Sequence, residues 1–219
     1  MAQNKRDIAY EYLRKQIVFC TLKPGDLIDE RQITEQLGIS RTPVREAITK
    51  LSEENLVTIF PRKGIVVSQI SFSDLREMIE CRLLVEPYLI HQTFAQLDTE
   101  ALKALRDKVV AKGSVTGVDA DAIEDDFDYA FHMYFAKRAG NHYLEGLMST
   151  LLALSQRSRI FLPWSPERVS GAANEHIAII DCALAGDEEG TTEAIRTHLV
   201  HSREGYTHVF ESHSDFFRM

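Results

Sequence analysis

The chain has 219 residues, 44% hydrophobic and 26% charged, which excludes wholesale disorder, a collagen-like fibre and a small disulfide scaffold and suits two domains of roughly 100 residues each. The net charge of −8 is unevenly spread, +2 over residues 1–70 and −10 over the remainder, and all eight histidines follow residue 70. A polyanionic partner therefore fits the first part better than the whole, and imidazole chemistry belongs to the second. No apolar run approaches the roughly 18 residues of a membrane span, and the charged start MAQNKRDIAYEYLRK lacks the apolar core of a secretory signal, so the expectation is a cytoplasmic protein with no membrane partner. Cys20, Cys81 and Cys182 are odd in number and lack CxxC spacing, which fits reduced thiols; no function is assigned to them.

In chain order, Ile8, Ala9, Tyr12, Leu13, Gln16 and Ile17 recur at helical spacing over residues 5–19, and TLKPGD then supplies a Pro-Gly turn. Asp29 caps a short second helix, ERQITEQL, and Gly38 ends it. A third helix starts at Ser40, with Val44, Ala47, Ile48 and Leu51 forming one buried stripe and Pro43 in the tolerant first turn. The period then changes: LVTIF and GIVVS read as a hairpin joined through Pro61-Arg62-Lys63-Gly64. After the polar segment SQISFSD come six long helical patterns, at about 73–96, 99–112, 119–138, 142–161, 166–185 and 188–210. The expected fold is mainly α: a winged helix-turn-helix over residues 1–70, then an all-helical bundle over 71–219.

Two helices joined by a tight glycine turn have helix-turn-helix geometry, in which the second helix enters a DNA major groove. Opposite its buried stripe lie Arg41, Thr42 and Arg45, the arginines at i, i+4. Arginine's planar fork binds guanine O6/N7 in two places or clamps phosphate. Arg31, one helix earlier, is placed for backbone phosphate, and Lys63 and Gly64 at the expected hairpin tip for the adjacent minor groove. An arginine pair on a helix more often merely solvates a surface, but here helix, turn, helix, arginine pair and basic hairpin occur in the required order. The stretch from LKPGD to KGIVV, with its intact SRTPVREA run at Ser40 to Ala47, resembles the winged-helix reader head of GntR-type bacterial transcription regulators. The resemblance implies phosphate and base contacts by Arg31, Arg41 and Arg45, a helix-start contact by Thr42, and a wing tip at Gly64. The hairpin lead IFPRKG is variable in such proteins.

In the helical half, polar residues interrupt apolar stripes. Asp128 and His132 stack one turn apart beside Phe127, Phe131, Tyr134 and Phe135; His176 lies in line with Ala173, Ile177 and Ile180. His198 shares the stripe of Ile195, Leu199 and Tyr206, whereas His201 falls on another face, so His198 is preferred. Singly, a buried histidine is more often a satisfied core residue than a ligand. Jointly, one carboxylate and three imidazoles form a donor set for a divalent ion, Zn, Ni or Mn, if the helices converge. Arg82 and Glu86, at i, i+4 on the stripe of Leu75, Met78, Ile79 and Leu83, read either as a structural ion pair or as a pocket arginine that grips an effector carboxylate. The acidic run Asp119 to Asp128 reads, apart from Asp128, as a solvated helix start.

Asp128 and His132 as D-x-x-x-H, Ala139 to Asn141, the loosely matched EH at Glu175-His176, and His198-Leu199 resemble the FCD effector-binding domain of the FadR-like branch of that family, whose metal-binding members use the four positions filled here by Asp128, His132, His176 and His198. The expectation is a homodimeric transcription regulator, a repressor rather than an activator, on a near-palindromic double-stranded operator, controlled by a small carboxylate or sugar acid. The alternatives are the same DNA-binding regulator with a metal-free structural bundle, and a metalloenzyme. No HExxH, GxSxG, phosphate-binding glycine loop or dinucleotide fingerprint supports the last, so no enzymatic activity is expected.

Overall fold

In this computed structural model residues 4–112 and 126–217 are described, and the chain divides into two compact units, Met1–Ile70 and Ser71–Met219. The first opens with α1 (Lys5–Val18), whose start is closed by the Asn4 side chain accepting from the Arg6 amide. A two-residue strand β1 (Leu27–Ile28) precedes α2 (Glu30–Leu37). Asp29 caps α2 by accepting from the amides of Arg31 and Gln32, and the helix ends where Gly38 turns left-handed at φ +62°. Then come α3 (Arg41–Glu53), β2 (Val57–Phe60) and β3 (Gly64–Val67).

The strands form an antiparallel sheet in the order β1-β3-β2, with Leu27 opposite Val66 and Phe60 opposite Gly64. Leu13 and Ile17 of α1 and Val44, Ala47 and Leu51 of α3 are fully buried. Each large apolar side chain so buried contributes about 1.5–3 kcal/mol, and the shared stripe forces the opposite face of α3 outward. Two differences from the sequence reading concern the wing. β1 has no counterpart there, and Gly64 opens β3 rather than forming the tip, which falls on Pro61, Arg62 and Lys63 with Arg62 at φ +64°.

The second unit contains six long helices among the described residues: α4 (Phe72–Thr93), α5 (Thr99–Lys112), α6 (Phe127–Arg138), α7 (His142–Phe161), α8 (Pro166–Leu184) and α9 (Glu188–Ser212). Helix α4 packs on α6, α7 and α9, and α8 packs on α5 and α9. Helix α4 continues through Pro87, which removes one backbone donor just after the turn carrying Arg82 and Glu86. The helix expected from residue 119 is seen from Phe127, behind an Asp126 cap; residues 119–125 lie outside those described. Among the described residues no helix is long and apolar enough to cross a membrane.

Candidate metal centre and DNA-reading face

Helix α6 places Asp128 and His132 one turn apart, and α8 and α9 bring His176 and His198 against them. All four are buried, and one ligand atom from each lies within 4.8 Å of the others. The Nε2 atoms of His132 and His176 are 3.5 Å apart, and Asp128 Oδ1 is 3.7 Å and 3.5 Å from them. Two imidazoles are oriented from behind. His132 Nδ1 is 2.7 Å from Glu86 Oε2 and His198 Nδ1 is 2.7 Å from Glu175 Oε2, so both rings turn Nε2 inward. A carboxylate behind each histidine fixes tautomer and ring orientation, as metal ligands require. The rings of Phe127 and Phe131 meet His176 edge-on at 5.2 and 4.8 Å and wall off that side.

Electrostatics sorts the imidazoles. Burial, with the neighbouring His198, holds His176 well below the ordinary histidine range, and burial likewise lowers His198, so both favour the neutral form that donates a lone pair. His132 moves the other way: burial is the largest single influence and lowers it, but the Glu86 and Asp128 carboxylates together overcome burial and raise it. Burial would raise Glu86 and Glu175, yet Arg82 and His132 hold the first at about 2, and His198 and Arg168 hold the second at about 2.

Beside the cluster is a small cavity of about 60 Å³, lined by Asp128 and His198 together with Arg82, Ser155, Arg159, Trp164, Arg168, Ser202 and Tyr206. Arg82 donates through Nε to Glu86 and through Nη1 to Ser155 Oγ at 3.3 Å, while its Nη2 is 2.9 Å from His132 Nε2. The two sequence readings of Arg82 are thus compatible: it is ion-paired and it faces the cavity. Arg159 bonds Asp126 at 2.8 Å and lies 3.2 Å from Asp128 Oδ2, and Arg168 holds Glu175 through both guanidinium termini, at 3.1 and 3.0 Å. Three guanidiniums thus meet four carboxylates, Glu86, Asp126, Asp128 and Glu175.

Glu175, Arg159 and Arg168 were given no role from the sequence. Glu175 was legible only as the neighbour of His176; its task is set by α9, which brings His198 and also His201, 2.8 Å from its other oxygen. Asp126 is a correction. Far from being a solvated helix start, its side chain is 7% exposed and is held by Gln156 and Arg159 while it caps α6.

In the first unit Arg41, Thr42 and Arg45 are exposed along α3, Arg31 is exposed on α2, and Lys63 is exposed in the turn before Gly64. Arg31 pairs with Glu35 at 3.0 Å, and Arg45 Nε with Glu30 at 3.0 Å. A groove between β-sheet and helix starts is lined by Arg31, Arg41, Phe60, Arg62 and Gly64. A face with four exposed arginines over an apolar core is chemically fit for a phosphate backbone.

Comparison with known proteins places both units. The profile of bacterial regulatory proteins of the gntR family matches residues 5–67, and that of the FCD domain matches residues 77–201. The chain is 33% identical over 204 residues to an HTH-type transcriptional regulator in an unstable DNA locus of Streptomyces ambofaciens, covering 90% of this chain and 82% of that one. It is 25% identical over 212 residues to the HTH-type transcriptional repressor RspR of Escherichia coli, covering 95% and 91%. The zinc-bound FCD domain of TM0439 shares the fold at TM-score 0.52 and 20% identity, over 67% of this chain and 99% of that one. The chain is therefore a member of the GntR family, a helix-turn-helix transcription regulator of the FadR-like branch with a C-terminal FCD domain, and not an enzyme.

Proposed function

We propose that this regulator is a cytoplasmic repressor whose operator affinity is set by a small organic or sugar acid bound beside a divalent metal ion in the helical unit. In this reading Arg31, Arg41, Thr42, Arg45, Lys63 and Gly64 of unit 1–70 contact a near-palindromic duplex, and unit 71–219 dimerises and binds the effector. Asp128, His132, His176 and His198 hold the ion, Zn, Ni or Mn, and Arg82 grips the effector carboxylate. The carrying observation is the buried Asp-His-His-His set within 4.8 Å, with carboxylates behind two of the imidazoles. A divalent ion there would supply a Lewis acid for a carboxylate oxygen and would turn the surrounding network of three guanidiniums and four carboxylates from one excess negative charge to one excess positive charge, which suits an anion. The zinc in the FCD domain of TM0439 and the repressor role of RspR support the same assignment.

Control requires only about 1–3 kcal/mol of coupling between effector and operator sites, which is a five- to 150-fold change in affinity. The test titrates an operator duplex with metal-loaded protein, at one salt concentration, in the presence of individual small organic and sugar acids. At least one acid weakens binding within that range for the wild type and has no effect on Arg82→Ala or His132→Ala. Operator affinity indifferent to every acid and to chelation would instead favour a metal-free structural bundle. One observation leans that way: Arg82 Nη2 sits on the His132 lone pair that a metal would take.

A further inference from the structure

Arg45 is exposed, yet its guanidinium is tethered. Glu30, the first residue of α2, accepts the Arg45 Nε–H through both carboxylate oxygens, at 3.1 and 3.0 Å. Among the described residues no protein acceptor meets Nη1 or Nη2 of Arg45. The Glu30 side chain is 22% exposed against 65% for Arg45, so the anchor is the better fixed of the two. It stands at the start of α2, where free backbone amides favour a carboxylate, and Asp29 closes that turn by bonding the next two amides. Helices α2 and α3 pack directly on each other, which fixes the anchor relative to the helix that carries Arg45. Arg31 differs, since its partner Glu35 is on its own helix and both are largely exposed.

We infer that Glu30 is a positioning residue for base reading by Arg45, an inference that rests on α3 being the recognition helix. An untethered arginine offers either edge of its fork and clamps phosphate as readily as a base. With Nε held by Glu30, the Nη1/Nη2 pair is the edge left, and paired N–H groups of that kind bridge guanine O6 and N7. The carboxylate also disfavours a phosphate beside Arg45. Glu30 thereby lowers indiscriminate attraction to the backbone and raises discrimination at one base pair.

The test selects binding sites from a random duplex pool with the full-length wild type, Glu30→Gln, Glu30→Asp and Arg45→Ala, at fixed salt, with circular dichroism to show that each folds. The wild type enriches a site containing a guanine that Arg45→Ala no longer prefers. Glu30→Gln prefers that guanine about tenfold less, keeps the other positions, binds random duplex at least as tightly as wild type, and has a salt slope steeper by about one contact. Glu30→Asp, which keeps the charge, recovers part of the preference. Full guanine preference in Glu30→Gln overturns the inference, as does uniform loss at every position together with weaker random-duplex binding, the mark of a merely structural α2 defect. A wild type that enriches no sequence would overturn the reader-head reading itself.

Discussion

The winged unit and the helical unit dispose their charges in opposite ways. Among the described residues the first buries a single charged or polar side chain, Arg14, whereas the second buries Arg82, Glu86, Asp128, Arg157 and three histidines within its core. The first is an apolar core that turns every arginine but Arg14 outward, and the second is a core with chemistry inside it. A surface for a polyanion needs only local helical order and a stripe to orient it. A buried ion-binding constellation needs several helices in register, and each charge there must be matched by another.

That contrast can be broken most severely at Glu86. Glu86→Ala strips buried Arg82 and His132 of their carboxylate and should destabilise the helical unit by about 3–5 kcal/mol in denaturant unfolding. A loss under 1 kcal/mol would mean that the buried charges are not mutually dependent. In the winged unit the comparable damage comes from apolar truncation: Leu51→Ala, at a fully buried position, should cost about 2–5 kcal/mol in the same measurement. Next in size, Arg45→Ala should weaken operator binding by about 1–3 kcal/mol in fluorescence anisotropy while leaving stability within about 0.5 kcal/mol. An unchanged operator affinity would remove Arg45 from base reading.

The smallest effect concerns pH. The Tyr10 hydroxyl is raised above its ordinary value of 10.0 by burial and by its 2.7 Å bond to Glu54. Folding favours the protonated phenol, so its contribution is whole below pH 10 and is lost as pH climbs beyond it. Thermal melts of the wild type should therefore fall more steeply on the alkaline side than those of Tyr10→Phe. Parallel alkaline limbs would show that the phenol does not couple to folding.

The same contrast explains what the sequence disclosed. Local signals read correctly: the Asp29 cap and Gly38 terminator bound α2, and the α3 stripe oriented Arg41 and Arg45 outward. β1 escaped because two residues cannot display alternation; Leu27 and Ile28 are strand only by pairing with β3. The i, i+4 spacing made Asp128 and His132 neighbours in advance, and stripe membership separated buried His198 from exposed His201. That Glu86 and Glu175 back His132 and His198, and that Arg159 holds Asp126 and Asp128, was not legible, because those contacts are made between helices. Glu86 is 46 residues from His132 and Asp126 is 33 from Arg159, so no periodicity connects them.

The claim on which the rest depends is that the buried Asp-His-His-His set is a metal site. The most direct measurement is metal content per chain, on protein purified without added metal or an affinity-column metal, for the wild type and His132→Ala side by side. The account predicts about one equivalent of a divalent first-row ion in the wild type, largely lost in the variant, with both proteins folded. Metal absent from a wild type that also fails to take up Zn, Ni or Mn, or metal retained undiminished by His132→Ala, would contradict it.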